Sequence, residues 1–397
     1  MSLSRAVTEQ LERASWIRRM FEEGARLKLE RGAENIFDFT LGNPDVEPPR
    51  EVIETLARVA AEKPSGIHAY MPNAGFPATR EAVARHLAGK TGLPFTAEHI
   101  LMTVGSAGAC NVYLRSVIDP GDEVIVLMPC FSEYPFYLQN HAAKMVPVET
   151  DEEFLPDAGR IAAAITPRTK AIIINTPNNP TGRIYPESVL RELNRVISGL
   201  DHPVTVISDE PYTPIVFDGR THPEVVSIVE RTVIANSWSK TFAIPGERIG
   251  YLAISPRLPE AAALFNACAF SNRVLGFVNA PAIWQRVVAE TVACRPGIES
   301  YQRRRDLMCE GLTRIGYEVL KPEGTFYAFP KSPIPDDVAF IRMLQAEGVL
   351  AVPGSGFGRR GYFRLSLTVP ALTIERSLAA FERAFCSSSG LQSEPRP

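Results

Sequence analysis

Lys240 stands in a stretch whose residue types could bind a phosphate next to a reactive amine. A hydroxyl residue, Ser237, precedes the lysine by three positions, and Arg248 follows it by eight. A lysine amine must be shifted toward its neutral form and held in place before it can condense with an aldehyde. Hydrogen-bond donors and fixed positive charge beside that amine suit a phosphate. The combination predicts pyridoxal phosphate, whereas an isolated Ser-x-x-Lys would fit an ordinary turn with a solvated lysine.

A second group of candidate residues follows two apolar runs that are typical of buried strands. Residues 170–175 break into the turn-forming segment 176–182, which contains Asn179. The run 204–208 ends at Asp209, and Tyr212 follows three residues later. Because open α/β sheets bind ligands at strand ends, we expect these side chains to lie together.

These residue types match what pyridoxal phosphate requires. Its ring withdraws electrons only while the ring nitrogen is protonated, and a carboxylate such as Asp209 would favour the charged form. The ring's phenolic oxygen can accept hydrogen bonds from an amide and a phenol, roles open to Asn179 and Tyr212. Ser237 and Arg248 are the candidates for the phosphate. Each residue alone also fits a structural role, so the prediction depends on their occurrence together.

With these motifs the chain resembles the class I and II aminotransferases, a family of fold type I pyridoxal phosphate enzymes. The resemblance covers about residues 39–367, and its specific parts are Asn179 to Gly182, Asp209-x-x-Tyr212, and Ser237-x-x-Lys240 with Arg248. It implies an α/β fold: a large domain with a mainly parallel seven-stranded sheet between helices, and a smaller α+β domain. It also implies that Lys240 holds the cofactor as a Schiff base and that the protein is a homodimer.

The resemblance also implies residues that bind the substrate. Residues 41–45, with Gly42, resemble the segment that lines the substrate carboxylate. Arg364 resembles the arginine that pairs with the α-carboxylate, because a planar guanidinium can donate two parallel hydrogen bonds to that group. Asn179 is expected to contact both the cofactor and the substrate.

Further residues are implied for the cofactor. Residues 103–109 lie between a strand-like and a helical run, so their N–H groups can face an anion, and Ser106 and Ala107 are the expected phosphate contacts. Tyr70 resembles the tyrosine that reaches the phosphate of the neighbouring subunit. Phe131 is the aromatic residue expected to stack on the cofactor ring.

The implied activity is the transfer of an amino group from an L-amino acid to a 2-oxo acid by a ping-pong mechanism. Lys240 would move the Cα proton while Asp209 keeps the ring nitrogen protonated. Lyases and other fold type I enzymes that act on amino acids keep the same cofactor residues and remain an alternative. A non-catalytic pyridoxal phosphate sensor is a remote alternative, which would need a winged helix that we do not expect before Leu41.

Aspartate with 2-oxoglutarate is the first prediction for the substrates, with aromatic or aliphatic amino acids as alternatives. An acidic side chain needs a second cation. Arg273 lies roughly where the aspartate branch of the family supplies one from the other subunit, although an ordinary surface arginine fits the sequence equally well.

Composition indicates small-molecule partners. The chain has 397 residues, of which 45% are hydrophobic, and its net charge of −3 gives no electrostatic reason to expect nucleic acid or a membrane surface. The six cysteines and six histidines show no spacing typical of metal sites or disulfide frameworks, so we predict reduced cysteines and no metal. Residues 1–30 lack a long apolar run, so we expect no signal peptide or spanning helix and predict a cytosolic protein.

The order of apolar patterns predicts the layout of the chain. Residues 6–27 have helical spacing and are predicted to form an arm that packs on a partner subunit. Strand-like runs then alternate with helical ones, which favours a mainly parallel sheet with helices on both faces; these runs are 100–104, 123–128, 171–175, 204–208, 233–236 and 249–254. The predicted units are an N-terminal arm with part of the small domain (1–48), a large cofactor-binding domain (49–290), a small C-terminal domain (291–386) and a disordered tail (387–397).

Overall fold

The structure, a computed structural model, describes residues 3–62, 66 and 68–391. Their α-helices are α1 (Arg5–Arg31), α2 (Arg50–Glu62), α3 (Pro77–Thr91), α4 (Gly105–Val117), α5 (Tyr134–Asn140), α6 (Ala158–Ala164), α7 (Glu187–Ser198), α8 (Val225–Ile228), α9 (Trp238–Thr241), α10 (Ala261–Val274), α11 (Ala282–Thr291), α12 (Glu299–Ile315), α13 (Asp337–Ala346) and α14 (Ala371–Leu391). Their strands are β1 (Phe37–Asp38), β2 (Ile100–Thr103), β3 (Glu123–Met128), β4 (Lys144–Glu149), β5 (Thr169–Asn175), β6 (Thr205–Asp209), β7 (Thr232–Ser237), β8 (Gly250–Ile254), β9 (Tyr327–Ala328), β10 (Val349–Leu350), β11 (Val352–Pro353) and β12 (Phe363–Ser366).

Among the described residues, seven strands form a central sheet. Their order is β2-β8-β7-β6-β5-β3-β4. The pairs from β7 to β4 are parallel, and β8 runs antiparallel to both of its neighbours. Every residue of β3, β6 and β8 is buried, as expected where helices cover both faces. The predicted α/β fold with a mainly parallel sheet is confirmed.

All six runs predicted as strands lie in this sheet, with ends within two residues of the predicted ones. The sequence pattern missed β4, the edge strand. Its residues are mostly exposed or half-buried and include Pro147, so the apolar signal is weak. Proline is tolerated at a sheet edge, where a missing N–H need not break a ladder on both sides.

Side chains of the sheet alternate between two packed faces. Ile173 joins a cluster with residues of α4 and α10, such as Leu114 and Cys268. Its neighbour Ile172 joins a cluster on the other face with residues of α7, such as Leu190. The strands are therefore packed on both faces, and their ends can position functional side chains.

A separate hydrophobic cluster joins the N-terminal segment to the C-terminal part of the chain. Phe39 packs there with residues of α12, α13 and α14, including Met308, Phe340 and Phe381. Two small sheets belong to the same region, β1 with β10, and β11 with β12 and β9. This packing agrees with a small unit completed by the N-terminal segment, while the boundaries at residues 48 and 290 stay predictions.

The two ends of the chain differ in part from expectation. Helix α1 forms where a helix was predicted, and Leu27 packs against Ile36 and Leu350; the role of α1 as an arm on a partner stays a prediction. The predicted tail from residue 387 is wrong for residues 387–391, which continue α14. Ser388 is buried and donates a hydrogen bond to the Phe385 carbonyl 2.6 Å away, which satisfies its hydroxyl within the helix. Residues 392–397 lie outside the described residues. No helix in the described ranges combines the length and apolar character needed to cross a membrane.

Candidate active site

A cavity of about 400 Å³ opens where three neighbouring parallel strands end. Strands β5, β6 and β7 end near Asn175, Asp209 and Ser237, and all three residues line the cavity. Parallel strands present their carboxyl ends at one edge of a sheet, so residues far apart in sequence converge there. The predicted site residues in its lining are Gly42, Ser106, Ala107, Phe131, Asn179, Asp209, Tyr212, Ser237, Lys240, Arg248 and Arg364.

Lys240 lies on the short helix α9, directly after β7. Its Nζ donates a hydrogen bond to the Gly42 carbonyl 2.8 Å away and lies over the Phe326 ring. Burial, together with the positive charges of Arg364 and Arg248, lowers the pKa of Lys240 to about 8. The amine is therefore still mostly protonated at pH 7, but its neutral fraction of about a tenth is far larger than that of an ordinary lysine, and the neutral form is the nucleophile toward an aldehyde.

Asp209 is the last residue of β6 and is buried in the cavity wall. Its Oδ2 accepts a hydrogen bond from the Tyr134 hydroxyl at 2.6 Å, while its buried Oδ1 has no partner among the described residues. Burial raises the pKa of Asp209 to about 6, and the hydrogen bond from Tyr134, with a smaller effect of the nearby Ser106 hydroxyl, opposes that rise. An unpartnered buried carboxylate oxygen fits an N–H donor, such as the protonated ring nitrogen of pyridoxal phosphate.

The start of α4 forms a cradle that fits a phosphate. Gly105 has a φ of +80°, and a Cβ there would lie 2.7 Å from a guanidinium nitrogen of Arg248. Ser106 and Ala107 occupy the first turn of the helix, where free N–H groups and the helix dipole attract anions. Arg248 is anchored by its hydrogen bond to the Pro245 carbonyl at 2.8 Å. Fixed positive charge and N–H donors thus face the same part of the cavity.

Arg364 lies on β12, and its side chain is buried. Its guanidinium donates to Asn179 Oδ1 at 3.2 Å and to the Thr40 carbonyl at 2.8 Å. The rings of Tyr327 and Phe357 lie 4.5 and 4.6 Å from it. Burial lowers the pKa of Arg364, and its Nε has no partner among the described residues. This held cation can therefore receive a carboxylate.

Asn175 connects the ends of two strands and was missed by sequence reasoning. Its amide nitrogen donates to the Asp209 carbonyl at 2.8 Å, and its side-chain oxygen accepts from the Asn179 N–H at 2.7 Å. This pair of bonds fixes the turn that carries Asn179 beside Asp209. A polar residue at the end of an apolar run was the available signal.

Tyr327 is a second residue that sequence reasoning missed. It lines the cavity, and its hydroxyl lies 3.5 Å from the hydroxyl of Tyr212. A Cβ at position 42 would collide with this tyrosine, so Gly42 allows the close approach. The segment around Tyr327 was recognised only as a short strand, and no local motif marks the tyrosine.

Two predicted residues lie outside this cavity. Tyr70 is 92% exposed, and Arg273 is exposed with its guanidinium over the Phe270 ring. Their predicted roles act across a subunit boundary and stay predictions. The described residues contain no cluster of histidine, cysteine, aspartate or glutamate that could hold a metal ion.

A buried lysine, a buried aspartate and a phosphate cradle at a helix start thus lie together at the carboxyl edge of a mainly parallel sheet. This arrangement is typical of the fold type I class of pyridoxal phosphate enzymes. Comparison with known proteins narrows the class. Residues 34–381 match the family described as aminotransferase class I and II. The aspartate/prephenate aminotransferase of Thermus thermophilus is 36% identical over 367 residues, which cover 90% of this chain and 93% of that protein.

Solved structures agree with the sequence comparison. An aminotransferase from Eubacterium rectale has a TM-score of 0.94 at 34% identity, with 98% of this chain and 99% of that chain covered. The aspartate aminotransferase of Thermus thermophilus with maleate has a TM-score of 0.84 at 33% identity, with 97% and 100% covered. The chain belongs to the aminotransferase class I and II family. It is a pyridoxal phosphate-dependent aminotransferase.

Proposed function

We propose that this aminotransferase moves the amino group of an L-amino acid, with aspartate as the first candidate, to a 2-oxo acid such as 2-oxoglutarate. The observation that carries the proposal is the convergence of Lys240, Asp209 and Arg364 on one cavity. The names of the relatives support aspartate: one is an aspartate/prephenate aminotransferase, and a similar structure holds maleate, a dicarboxylate.

Lys240 carries the covalent and proton-transfer roles in this proposal. When bound, pyridoxal phosphate supplies an aldehyde for condensation with amines and a ring that accepts electrons from the substrate Cα. The Lys240 Nζ, with its pKa lowered to about 8, could take the proton from the substrate Cα and then deliver it to the carbon that was the aldehyde of the cofactor. The Gly42 carbonyl holds that nitrogen at 2.8 Å in the cavity.

Asp209, Tyr212, Asn179 and Phe131 are proposed to hold the cofactor ring. Asp209 Oδ1 would accept a hydrogen bond from the ring nitrogen and keep it protonated, while the Tyr134 hydroxyl fixes the other carboxylate oxygen. Tyr212 and Asn179 would donate to the ring's phenolic oxygen, and Phe131 would stack on the ring. A protonated ring withdraws electrons most strongly, so this wall supports cleavage of the bond from Cα to hydrogen.

The phosphate and the substrate carboxylate have separate proposed sites. Ser106, Ala107, Ser237 and Arg248 would bind the phosphate at the start of α4. Arg364 would bind the α-carboxylate with two parallel hydrogen bonds, beside Asn179 and Gly42. Lys240 lines the same cavity as both proposed sites, so its amine would be available to the Cα of a substrate bound through Arg364.

The chain is further proposed to act as a homodimer, with Tyr70 contributing to the phosphate site of the neighbouring subunit. Its 92% exposure and its position outside its own cavity support that role. Arg273 is proposed as the cation that the partner offers to an acidic side chain, and its exposed guanidinium suits such a contact. A cytosolic location stays a prediction.

An amino-donor panel tests the proposed function. Purified protein loaded with pyridoxal phosphate is mixed with single amino acids, and the cofactor absorbance and the products are followed. We expect a change in absorbance with release of the matching 2-oxo acid, fastest for aspartate, and none in Lys240→Ala. Release of ammonia with pyruvate would favour a lyase, and normal turnover by Lys240→Ala would disprove the role of the lysine.

A further inference from the structure

A short turn carries Arg248 to the proposed phosphate site. Pro245–Glu247 form a single 3₁₀ turn, which Glu247 closes by donating its N–H to the Ile244 carbonyl 3.1 Å away. Arg248 follows in the left-handed region, with φ +51° and ψ +43°. A residue with a Cβ rarely adopts that conformation, which costs free energy and persists only where neighbouring contacts hold it. The contacts that hold this turn therefore decide where the guanidinium of Arg248 lies.

Trp284 supplies one such contact from helix α11. Its indole N–H donates a hydrogen bond to Glu247 Oε2, 2.5 Å away. Ile244 and Ile249, which flank the turn, are buried in the same hydrophobic cluster as Trp284. Apolar packing thus brings the indole to the turn, and its polar edge meets the carboxylate. Because Trp284 is only 8% exposed, its N–H needs an acceptor from the protein, and Glu247 provides it.

Helix α11 is itself tied to a neighbouring helix, so Trp284 offers its N–H from a defined position. The side-chain oxygen of Gln285 accepts the Phe76 N–H at 2.8 Å, and the Gln285 carbonyl accepts the Thr79 hydroxyl at 2.9 Å. Both bonds join the first turn of α11 to the start of α3. The turn that carries Arg248 is therefore bonded to an element that has its own supports.

The side chains of Glu247 and Arg248 reach different neighbours, although the residues are adjacent. Glu247 reaches α11, while Arg248 donates to the Val104 carbonyl, directly before the phosphate cradle, at 3.3 Å. Arg248 also donates to the Pro245 carbonyl of its own turn. The bond from Trp284 thus constrains the backbone that carries Arg248. Without it, the turn could relax toward ordinary backbone angles and move the guanidinium away from the cradle.

We propose that Glu247 and Trp284 are positioning residues for the cofactor. Their hydrogen bond holds the turn in the conformation in which Arg248 binds the phosphate of pyridoxal phosphate. Neither residue belongs to the described lining of the cavity, so both act through Arg248. The inference rests on the proposed function, because it takes Arg248 as a phosphate ligand.

A comparison of pyridoxal phosphate with pyridoxal, which lacks the phosphate, tests the proposal. Full-length protein freed of cofactor is titrated with each compound, and the dissociation constants are read from the absorbance of the bound compound. We expect Glu247→Ala and Trp284→Phe to bind pyridoxal phosphate about tenfold more weakly and pyridoxal as well as the wild type does. The combined variant should be no weaker than the single ones, because both changes remove the same bond.

Two further variants separate positioning from general stability. Glu247→Gln keeps an oxygen that can accept the indole N–H, so its affinity for pyridoxal phosphate should stay within about threefold of the wild type. Glu290→Ala is the matched control, because Glu290 is an exposed residue of α11 that pairs with Arg58 of α2 and not with the turn. It should leave the ratio of the two dissociation constants unchanged. Equal weakening of both compounds in Glu247→Ala, or a lower Tm with that ratio unchanged, would overturn the proposal.

Arg248→Ala distinguishes failure of the inference from failure of the proposed function. This variant should lose most of the preference for pyridoxal phosphate over pyridoxal. If it does so while Glu247→Ala keeps the wild-type preference, the positioning role is wrong and the phosphate site stands. Glu247 is exposed, so its replacement leaves the hydrophobic core intact and such a result is decisive. If Arg248→Ala keeps the preference, the phosphate binds elsewhere and both proposals fail.

Discussion

At the scale of single residues, the pKa of Lys240 predicts how the protein takes up its cofactor. Burial and the charges of Arg364 and Arg248 lower that pKa to about 8, from 10.5 for an ordinary lysine. Only the neutral amine attacks an aldehyde, so the rate of uptake by cofactor-free protein should rise about tenfold per pH unit below the pKa and level off above it. Stopped-flow absorbance after mixing with pyridoxal phosphate measures this rate. A plateau reached only near pH 10.5 would show that the fold leaves the amine unperturbed.

Replacement of Tyr134 should shift the acid limb of the pH dependence of activity. Its hydroxyl donates to Asp209 and favours the ionised carboxylate, against the burial that raises the pKa to about 6. In Tyr134→Phe that donor is lost, so the pKa of Asp209 should rise. As the pH is lowered, the variant should therefore lose activity about one pH unit earlier than the wild type.

The matched control for this experiment is Tyr137→Phe. Tyr137 lies on the same helix and lines the same cavity, but its hydroxyl makes no hydrogen bond to Asp209. The pH dependence of the half-reaction should therefore keep its acid limb in the control. An unchanged limb in Tyr134→Phe would mean that the hydrogen bond does not set the charge of Asp209.

Those residues of the cavity that stand in a recognisable local sequence pattern were predicted from the sequence. Lys240, Asp209 and Asn179 each stand at the end of an apolar run or in a short motif, and the structure brings them into one cavity. Tyr134 could not be paired with Asp209 in advance, because 75 residues separate them.

At the scale of elements, the backbones at the start of β8 and the start of α4 approach each other closely. A Cβ at Gly250 would lie 2.5 Å from the Asn236 carbonyl oxygen and 2.7 Å from the backbone of Gly105. Because backbone atoms cannot rotate away, Gly250→Ala should destabilise the protein by about 2 kcal/mol and lower the Tm by several degrees. The strain also reaches the phosphate cradle, so affinity for pyridoxal phosphate should fall as well.

Gly89→Ala is the control for this substitution. Gly89 is an exposed residue of α3 with nothing within 4 Å of a new Cβ, so alanine should leave the Tm unchanged or raise it slightly. Calorimetric unfolding and titration with the cofactor check both variants. Equal Tm values for the two variants would show that β8 and α4 can move apart at no cost.

The elements themselves were predicted where burial left a clear pattern. Strands covered on both faces, such as β3, are continuous apolar runs, and their bounds followed from the sequence. The edge strand β4 did not, because one side of its pattern faces water and Pro147 interrupts it. The end of α14 was missed for a related reason: serine reads as a loop residue, but Ser388 is buried against its own helix.

At the scale of the whole molecule, the exposure of Tyr70 predicts that two defective chains can restore one site. Tyr70 lies outside the cavity of its own chain, so its proposed contact is with the phosphate of the neighbouring subunit. Tyr70→Phe should weaken cofactor binding about tenfold through the loss of one hydrogen bond to a charged group. Lys240→Ala should be inactive. In a hybrid dimer, the chain with Lys240 intact receives an intact Tyr70 from its partner, so one complete site forms.

Subunit exchange between the two variants therefore gives a direct readout. The variants are mixed at high concentration, allowed to exchange, and assayed at a cofactor concentration too low to saturate Tyr70→Phe. Activity should exceed the sum of the separate variants and approach half that of the wild type per hybrid dimer, because each hybrid has one complete site. Mass spectrometry shows whether hybrid dimers have formed. If they have formed and the mixture is no more active than that sum, Tyr70 acts in its own chain or in neither site. A protein that stays monomeric at high concentration would remove the dimer proposal itself.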